Sequence, residues 1–222
     1  MYITFFAPTV FEISPLLNYL NEHFESQGKF FIKKDLKVKV NVCGVGLTNT
    51  AIDSCIEFHH QKPDIAILVG VCGAYKKDLA LGTVVNVIEE SFGDLGIEQA
   101  NGDFTSMHEL GLLEANEFPF KDSKLRNPSN EFGFLKRVSA VSLNTSSGNQ
   151  ENIDKRTARH NADIENMEGA AFFQVCLQMG INFLQIRAVS NLVESRNIDN
   201  WELSLAITNL NDTLVEMLGS IV

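Results

Sequence analysis

Basic residues are scarce in this chain. Lysine and arginine total 18 against 28 aspartate and glutamate, a formal net charge of -10. Nucleic acid demands a basic footprint for its phosphates, and an anionic membrane surface asks for the same, so neither partner is expected. No Cys-x-x-Cys pair occurs among Cys43, Cys55, Cys72 and Cys176, and a zinc-ligand pattern is missing with it. Each cysteine sits among apolar or small residues, so we expect four free, buried thiols in a reducing, cytoplasmic compartment. No apolar run approaches the roughly 20 residues of a membrane-spanning helix. Residues Met1 to Phe6 are apolar but carry no basic charge, which reads as a first strand rather than a secretion signal. No repeat or low-complexity linker divides the chain, so one domain over 1–222 is expected.

What is present alternates. Strand-like runs occupy Tyr2–Ala7, Lys37–Val42, Ile65–Gly70, Thr83–Glu89, Val138–Leu143 and Phe183–Ser190. Those at 65–70 and 183–190 are almost continuously apolar, as for strands buried on both faces. Helical spacing places Ile13, Leu16, Leu17 and Leu20 on one face, with Ser14-Pro15 as the start signal. Further helices are expected over Thr48–Phe58, Met167–Met179 and Trp201–Leu218. The alternation specifies an α/β fold with a largely parallel central sheet. The stretch 91–136 is the least regular and is expected to hold surface loops and substrate-covering elements.

Polar residues gather where these elements end, the usual place for an α/β site. Two glycine-rich exits, Gly44-Val45-Gly46 and Gly70-Val71-Cys72-Gly73, follow strands. The first lacks the third glycine of a dinucleotide fingerprint and the Gly-Lys-Ser/Thr of a P-loop; a tight turn accounts for it equally well. Together they suggest a crevice where backbone approaches a ligand. Glu12 lies just past the first strand. It suits the dipole of a helix start, and it also suits a general base activating water. Glu165 and Glu168, three residues apart, are expected on one side of a first helical turn. Met167 between them gives a carboxylate–thioether pair fit for a sugar: the carboxylate accepts from vicinal hydroxyls and the Met covers the apolar face. Arg187, inside an apolar strand, needs a buried partner, Glu168 or Glu165, and takes a structural or orienting role. His108 and His160 stand alone and are assigned no chemistry.

Glu12, Gly70-Val71-Cys72-Gly73, Asn166-Met167-Glu168 and Arg187-Ala188-Val189-Ser190-Asn191 together resemble the purine nucleoside phosphorylase/nucleosidase superfamily, over nearly the whole chain. The resemblance implies a nucleoside phosphorylase-like fold, a single α/β domain of three αβα layers around a central mixed, largely parallel, twisted sheet. It implies that Glu12 activates water, that Met167 and Glu168 grip the ribose, and that Ser190 and residue 191 handle the purine. Asn166, Cys72 and Gly73 join the substrate-binding set. Methylthioadenosine-cleaving members have aspartate at the position of Asn191, which protonates N7 and accepts from the 6-amino group. An asparagine supplies no proton, but its NH₂ donates to the O6 of a 6-oxopurine, where a carboxylate would be repelled. With Glu165 to Phe173, Arg196-Asn197 and Asp94-Leu95-Gly96, the chain is most similar to the futalosine hydrolases of menaquinone biosynthesis. That implies hydrolysis of the N-glycosidic bond of futalosine, a small purine nucleoside, to hypoxanthine and dehypoxanthinyl futalosine, with Arg196 or another arginine binding the 5′ carboxylate and Trp201 either stacking on the 5′ aryl ring or packing its helix. It implies no cofactor and no metal, and a homodimer or larger homo-oligomer. The alternatives are a methylthioadenosine/S-adenosylhomocysteine nucleosidase, a 6-oxopurine nucleoside phosphorylase and a non-catalytic nucleoside-binding protein.

Overall fold

The computed structural model describes residues 1–128 and 134–221. In chain order the strands are β1 (Tyr2–Ala7), β2 (Glu25–Gln27), β3 (Phe30–Lys33), β4 (Leu36–Val42), β5 (Ile65–Ala74), β6 (Val84–Phe92), β7 (Gly96–Glu98), β8 (Phe104–Ser106), β9 (Leu125–Arg126), β10 (Lys136–Ser142), β11 (Ile164–Asn166) and β12 (Phe183–Leu192). The helices are α1 (Val10–His23), α2 (Leu47–His60), α3 (Gln150–His160), α4 (Gly169–Met179) and α5 (Leu203–Ile221).

Ten strands form one mixed sheet in the order β11-β10-β6-β12-β5-β1-β4-β3-β2, with β9 beside β6. The centre is parallel: β4, β1, β5 and β12 run together, as do β6, β10 and β11. Antiparallel contacts join β12 to β6 and β11 back to β5. That last pairing closes β5, β12, β6, β10 and β11 into a barrel, which removes two strand edges. The strand side chains alternate between two cores. Ile3 and Phe5 pack with Ile13, Leu16, Leu210 and Leu214 of α1 and α5. Phe6 packs with Phe58, Phe172 and Phe173 of α2 and α4. Apolar residues at successive positions thus serve opposite faces, giving three layers.

Four expectations are corrected. Helix α1 starts at Val10, and Ser14-Pro15 lie inside it. Thr9 is the cap, accepting from the Glu12 amide at 3.3 Å. Pro15 has no N–H for the Phe11 carbonyl, which the Ser14 hydroxyl approaches at 3.5 Å. The Asn211 side chain of α5 enters this loosened turn. It accepts from Leu16 N–H at 3.0 Å and donates to the Glu12 carbonyl at 2.9 Å.

Second, Glu165 is not on a helix. It belongs to β11, paired to β10 and β5, and Glu168 caps α4. The Asn166 carboxamide oxygen takes the amides of Glu168 and Gly169 at 3.0 and 2.6 Å, and this turn separates strand from helix. Third, Cys55 is exposed on α2, while Cys43, Cys72 and Cys176 are buried free thiols. Fourth, the stretch 91–136 contributes the β7–β8 hairpin and β9, and none of its described residues lines the cavity at the carboxyl ends of β1, β5, β11 and β12. Residues 129–133 of that stretch lie outside the described residues. Among the described residues no helix is long and apolar enough to cross a membrane.

Candidate active site

The carboxyl ends of β1, β5, β11 and β12 open onto one cavity of about 320 Å³. Glu12, Cys72, Gly73, Asn166, Met167, Glu168, Ser190, Asn191 and Arg196 all line it, brought together from positions up to 184 residues apart in the sequence numbering, Glu12 to Arg196. Parallel strands place their following turns on one side of the sheet, so residues remote in sequence converge there. Arg187 lies beneath the cavity, fully buried.

Arg187 organises the floor. Its Nη2 meets Glu168 Oε2 at 3.1 Å and Asn166 Oδ1 at 3.2 Å, and Nη1 reaches the Val71 carbonyl at 3.4 Å. Of the two expected partners, Glu168 is the one used. The other Glu168 oxygen accepts the Gly46 amide at 3.1 Å, so the first glycine turn serves to hold a carboxylate. Gly46 has φ 97°, a conformation that favours glycine. Gly70 lets the floor close: a Cβ there would lie 2.5 Å from Arg187 Nη1 and 2.9 Å from Glu12 Oε1.

Glu12 is buried against this floor. Oε2 accepts the Thr9 hydroxyl at 2.7 Å and Oε1 accepts the Val71 amide at 3.0 Å. Burial raises its pKa above the ordinary carboxylate value, opposed by the Thr9 and Val71 hydrogen bonds and by the Arg187 charge. A carboxylate fixed at both oxygens, with a raised proton affinity, is equipped to take a proton from water.

At the opposite wall the β5–β12 register shifts between Val189 and Asn191, so that Asn191 pairs with Gly73 and Ser190 bulges. The Ser190 hydroxyl reaches the Cys72 carbonyl at 3.2 Å and Asn191 Oδ1 at 2.9 Å, while Asn191 Nδ2 donates to the Leu192 carbonyl at 2.9 Å. The amide orientation is thereby fixed, with one N–H and one lone pair left for a ligand. Burial pushes the Cys72 thiol up to about 12, so Cys72 contributes shape and not a thiolate. At the mouth, the exposed Arg196 guanidinium lies 5.3 Å from the Trp201 ring centroid and 3.5 Å from Ser146 Oγ.

Several participants escape a linear reading. Asn166 lines the cavity, but its oxygen serves Arg187 and two backbone amides, so its side chain holds the site. Glu90, wholly buried, accepts from Asn166 Nδ2 at 2.7 Å, Gln185 Nε2 at 2.9 Å and Ser142 Oγ at 2.9 Å. Asn211 splints Glu12, and Tyr75 and Ser147 bind Glu165. The available signal was polarity in an apolar pattern: Glu90 lies just past the strand run Thr83–Glu89 and Asn211 interrupts the stripe of α5. Asp94, in contrast, accepts the Asn144 amide at 2.7 Å outside the cavity.

The buried glutamate, the Met-Glu pair and the clamped amide all line this one cavity at the strand ends of a closed sheet. A family model described as the phosphorylase superfamily matches residues 3–218, and the chain belongs to that superfamily. It is 30% identical over 170 residues to a futalosine hydrolase of Thermus thermophilus, covering 75% of each chain. A 5′-methylthioadenosine/S-adenosylhomocysteine nucleosidase of Staphylococcus aureus is 27% identical over 192 residues, 85% of this chain and 84% of that one. Among solved structures, a futalosine hydrolase mutant of Helicobacter pylori superposes with a TM-score of 0.76 at 17% identity, covering 99% of both chains. A Colwellia psychrerythraea nucleosidase in complex with adenine gives 0.75 at 18% identity, over 99% of this chain and 95% of that one. These structural matches establish the fold.

Proposed function

We propose that the chain hydrolyses the N-glycosidic bond of futalosine, releasing hypoxanthine and dehypoxanthinyl futalosine. The observation that carries this reading is the Asn191 amide, clamped by Ser190 on the cavity wall. Its free N–H matches the O6 of hypoxanthine, and its oxygen accepts from N7–H once a solvent water has protonated N7 of the departing base. Against adenine the same N–H would meet the donating 6-amino group. The futalosine hydrolase of Thermus thermophilus among its relatives supports the choice.

In this reading Glu168 accepts from the ribose hydroxyls, Arg187 holds that carboxylate, and Met167 covers the sugar. Ionised Glu12 deprotonates a water that attacks C1′ as the C1′–N9 bond breaks. Contacts from Asn191 strengthen as the purine gains charge, so they favour the transition state over the bound substrate. Arg196 takes the 5′ carboxylate, and Trp201 stacks on the aryl ring.

Base release by pure protein in phosphate-free buffer tests this with futalosine, inosine and methylthioadenosine. We expect hypoxanthine release, fastest from futalosine. Preferential adenine release from methylthioadenosine, or strict dependence on phosphate, overturns the assignment.

A further inference from the structure

Beneath the cavity, outside its lining, lies a carboxyl group that the reaction as described does not use. Glu90 belongs to β6 and is wholly buried. Three side chains donate to it. Asn166 Nδ2 and Gln185 Nε2 reach Oε1 at 2.7 and 2.9 Å, and Ser142 Oγ reaches Oε2 at 2.9 Å. Gly169 makes the room: a Cβ there would run into Glu90 Oε1 and lie 2.5 Å from both polar atoms of the Gln185 amide.

Two of these donors also cap α4. A helix start leaves its first amides without helical partners. Here Asn166 Oδ1 accepts the amides of Glu168 and Gly169 at 3.0 and 2.6 Å, and Ser142 Oγ accepts the Ala170 amide at 2.8 Å. Glu168 occupies the cap position, yet its carboxylate makes no capping bond. That carboxylate is left to Arg187, to the Gly46 amide and to the cavity.

The Asn166 carboxamide fits its slot in two orientations, related by a half-turn. Reversed, its NH₂ would confront three donors: the two amides and Arg187 Nη2, which lies 3.2 Å from Oδ1. Those donors select one orientation from one side, and Glu90 Oε1 locks it from the other. The contacts Glu90–Asn166–Arg187–Glu168 run unbroken from the inside of the barrel to the cavity. We infer that Glu90 is a positioning residue for the reaction: by fixing the Asn166 carboxamide it sets Arg187 and Glu168, and with them the grip on the ribose hydroxyls. This rests on the ribose role proposed for Glu168 and deepens it.

The test compares kcat/KM for the ribonucleoside that wild type cleaves fastest and for its 2′,3′-dideoxy analogue, which offers the grip no hydroxyls. The ratio of the two is followed in wild type, Glu168→Gln, Glu90→Leu, Glu90→Gln and Gly169→Ala, so the intrinsic lability of the analogue cancels between variants. Glu168→Gln should lower the ratio on the order of 10- to 100-fold. An unchanged ratio there overturns the ribose role of Glu168 itself. Given that shift, Glu90→Leu should lower the ratio in the same direction by roughly 10-fold, because it removes the acceptor facing Asn166 Nδ2. Glu90→Gln retains an oxygen at that point and should rescue the ratio. Gly169→Ala, whose Cβ displaces Glu90, should lower it too, and it decides the matter if Glu90→Leu does not fold. A purely structural role would depress both substrates in proportion. An unchanged ratio in folded Glu90→Leu or Gly169→Ala, or no rescue by Glu90→Gln, overturns the role of Glu90 and leaves that of Glu168 standing.

Discussion

At the scale of single residues, the proposed proton acceptor is Glu12. Glu12→Gln keeps the side-chain shape and removes the base, so kcat should fall by on the order of 10²- to 10⁴-fold. Hypoxanthine binding by calorimetry should survive; normal turnover in this variant removes Glu12 as the base. The sign of the pH dependence follows from its environment. Burial raises the Glu12 pKa, and only the ionised form accepts a proton, so activity should fall as pH drops through a value above the ordinary glutamate range. A pH–kcat/KM profile with its acid limb at or below that range contradicts this. The gathering of Glu12, Glu168, Ser190 and Asn191 at one cavity was legible in the sequence because each is polar near the end of an apolar run, and Met167 was picked out by its place beside Glu168. Glu165 was visible, but its contact with Gly73 was not, since that depends on β11 returning antiparallel to β5.

At the scale of elements, α1 departs most from its sequence signals. Pro15 marked a start, yet the helix continues through it because Asn211 serves the loosened turn from a different helix. No local rule contains a partner 195 residues away. Replacement by Leu would leave the Leu16 amide and Glu12 carbonyl buried without that partner. We expect Asn211→Leu to lose about 2–4 kcal/mol in urea unfolding and to lower kcat by displacing Glu12. Unchanged stability and rate would show that the splint is dispensable. The six main strands and four helices were legible because periodicity and β-branched content agreed over each run. The hairpins at β2–β3 and β7–β8, α3 and β11 were not: β2, β3, β7, β8 and β11 are three or four residues long, and α3 is mostly polar. Too few buried side chains mark them.

At the scale of the whole molecule, the closed barrel traps a carboxyl group that water cannot reach. Burial raises Glu90 from 4.5 to about 7, against hydrogen bonds from Asn166, Gln185 and Ser142 and the charge of Arg187. The protonated form also offers a donor near Gln185 Oε1, which has no partner among the described residues. Below pH 4.5 the folded and unfolded chains both hold this proton. Between there and about 7 the unfolded chain has released it and the folded chain retains it, so this group's contribution to stability declines as pH rises. Glu90→Gln stays neutral throughout and should abolish that decline, gaining on the order of 2 kcal/mol relative to wild type between the two ends of the window. Parallel stability–pH curves for the two proteins would contradict it. The base that the assembled cavity accepts is read most directly from kcat/KM for futalosine and its 6-amino analogue, which differ only at C6 and in the hydrogen on N1. We predict that wild type favours futalosine by at least about 100-fold and that Asn191→Asp reverses the order, because the new carboxylate repels O6 and accepts from the amine. A wild-type preference for the 6-amino compound, or a ratio that Asn191→Asp leaves unchanged, would contradict the account.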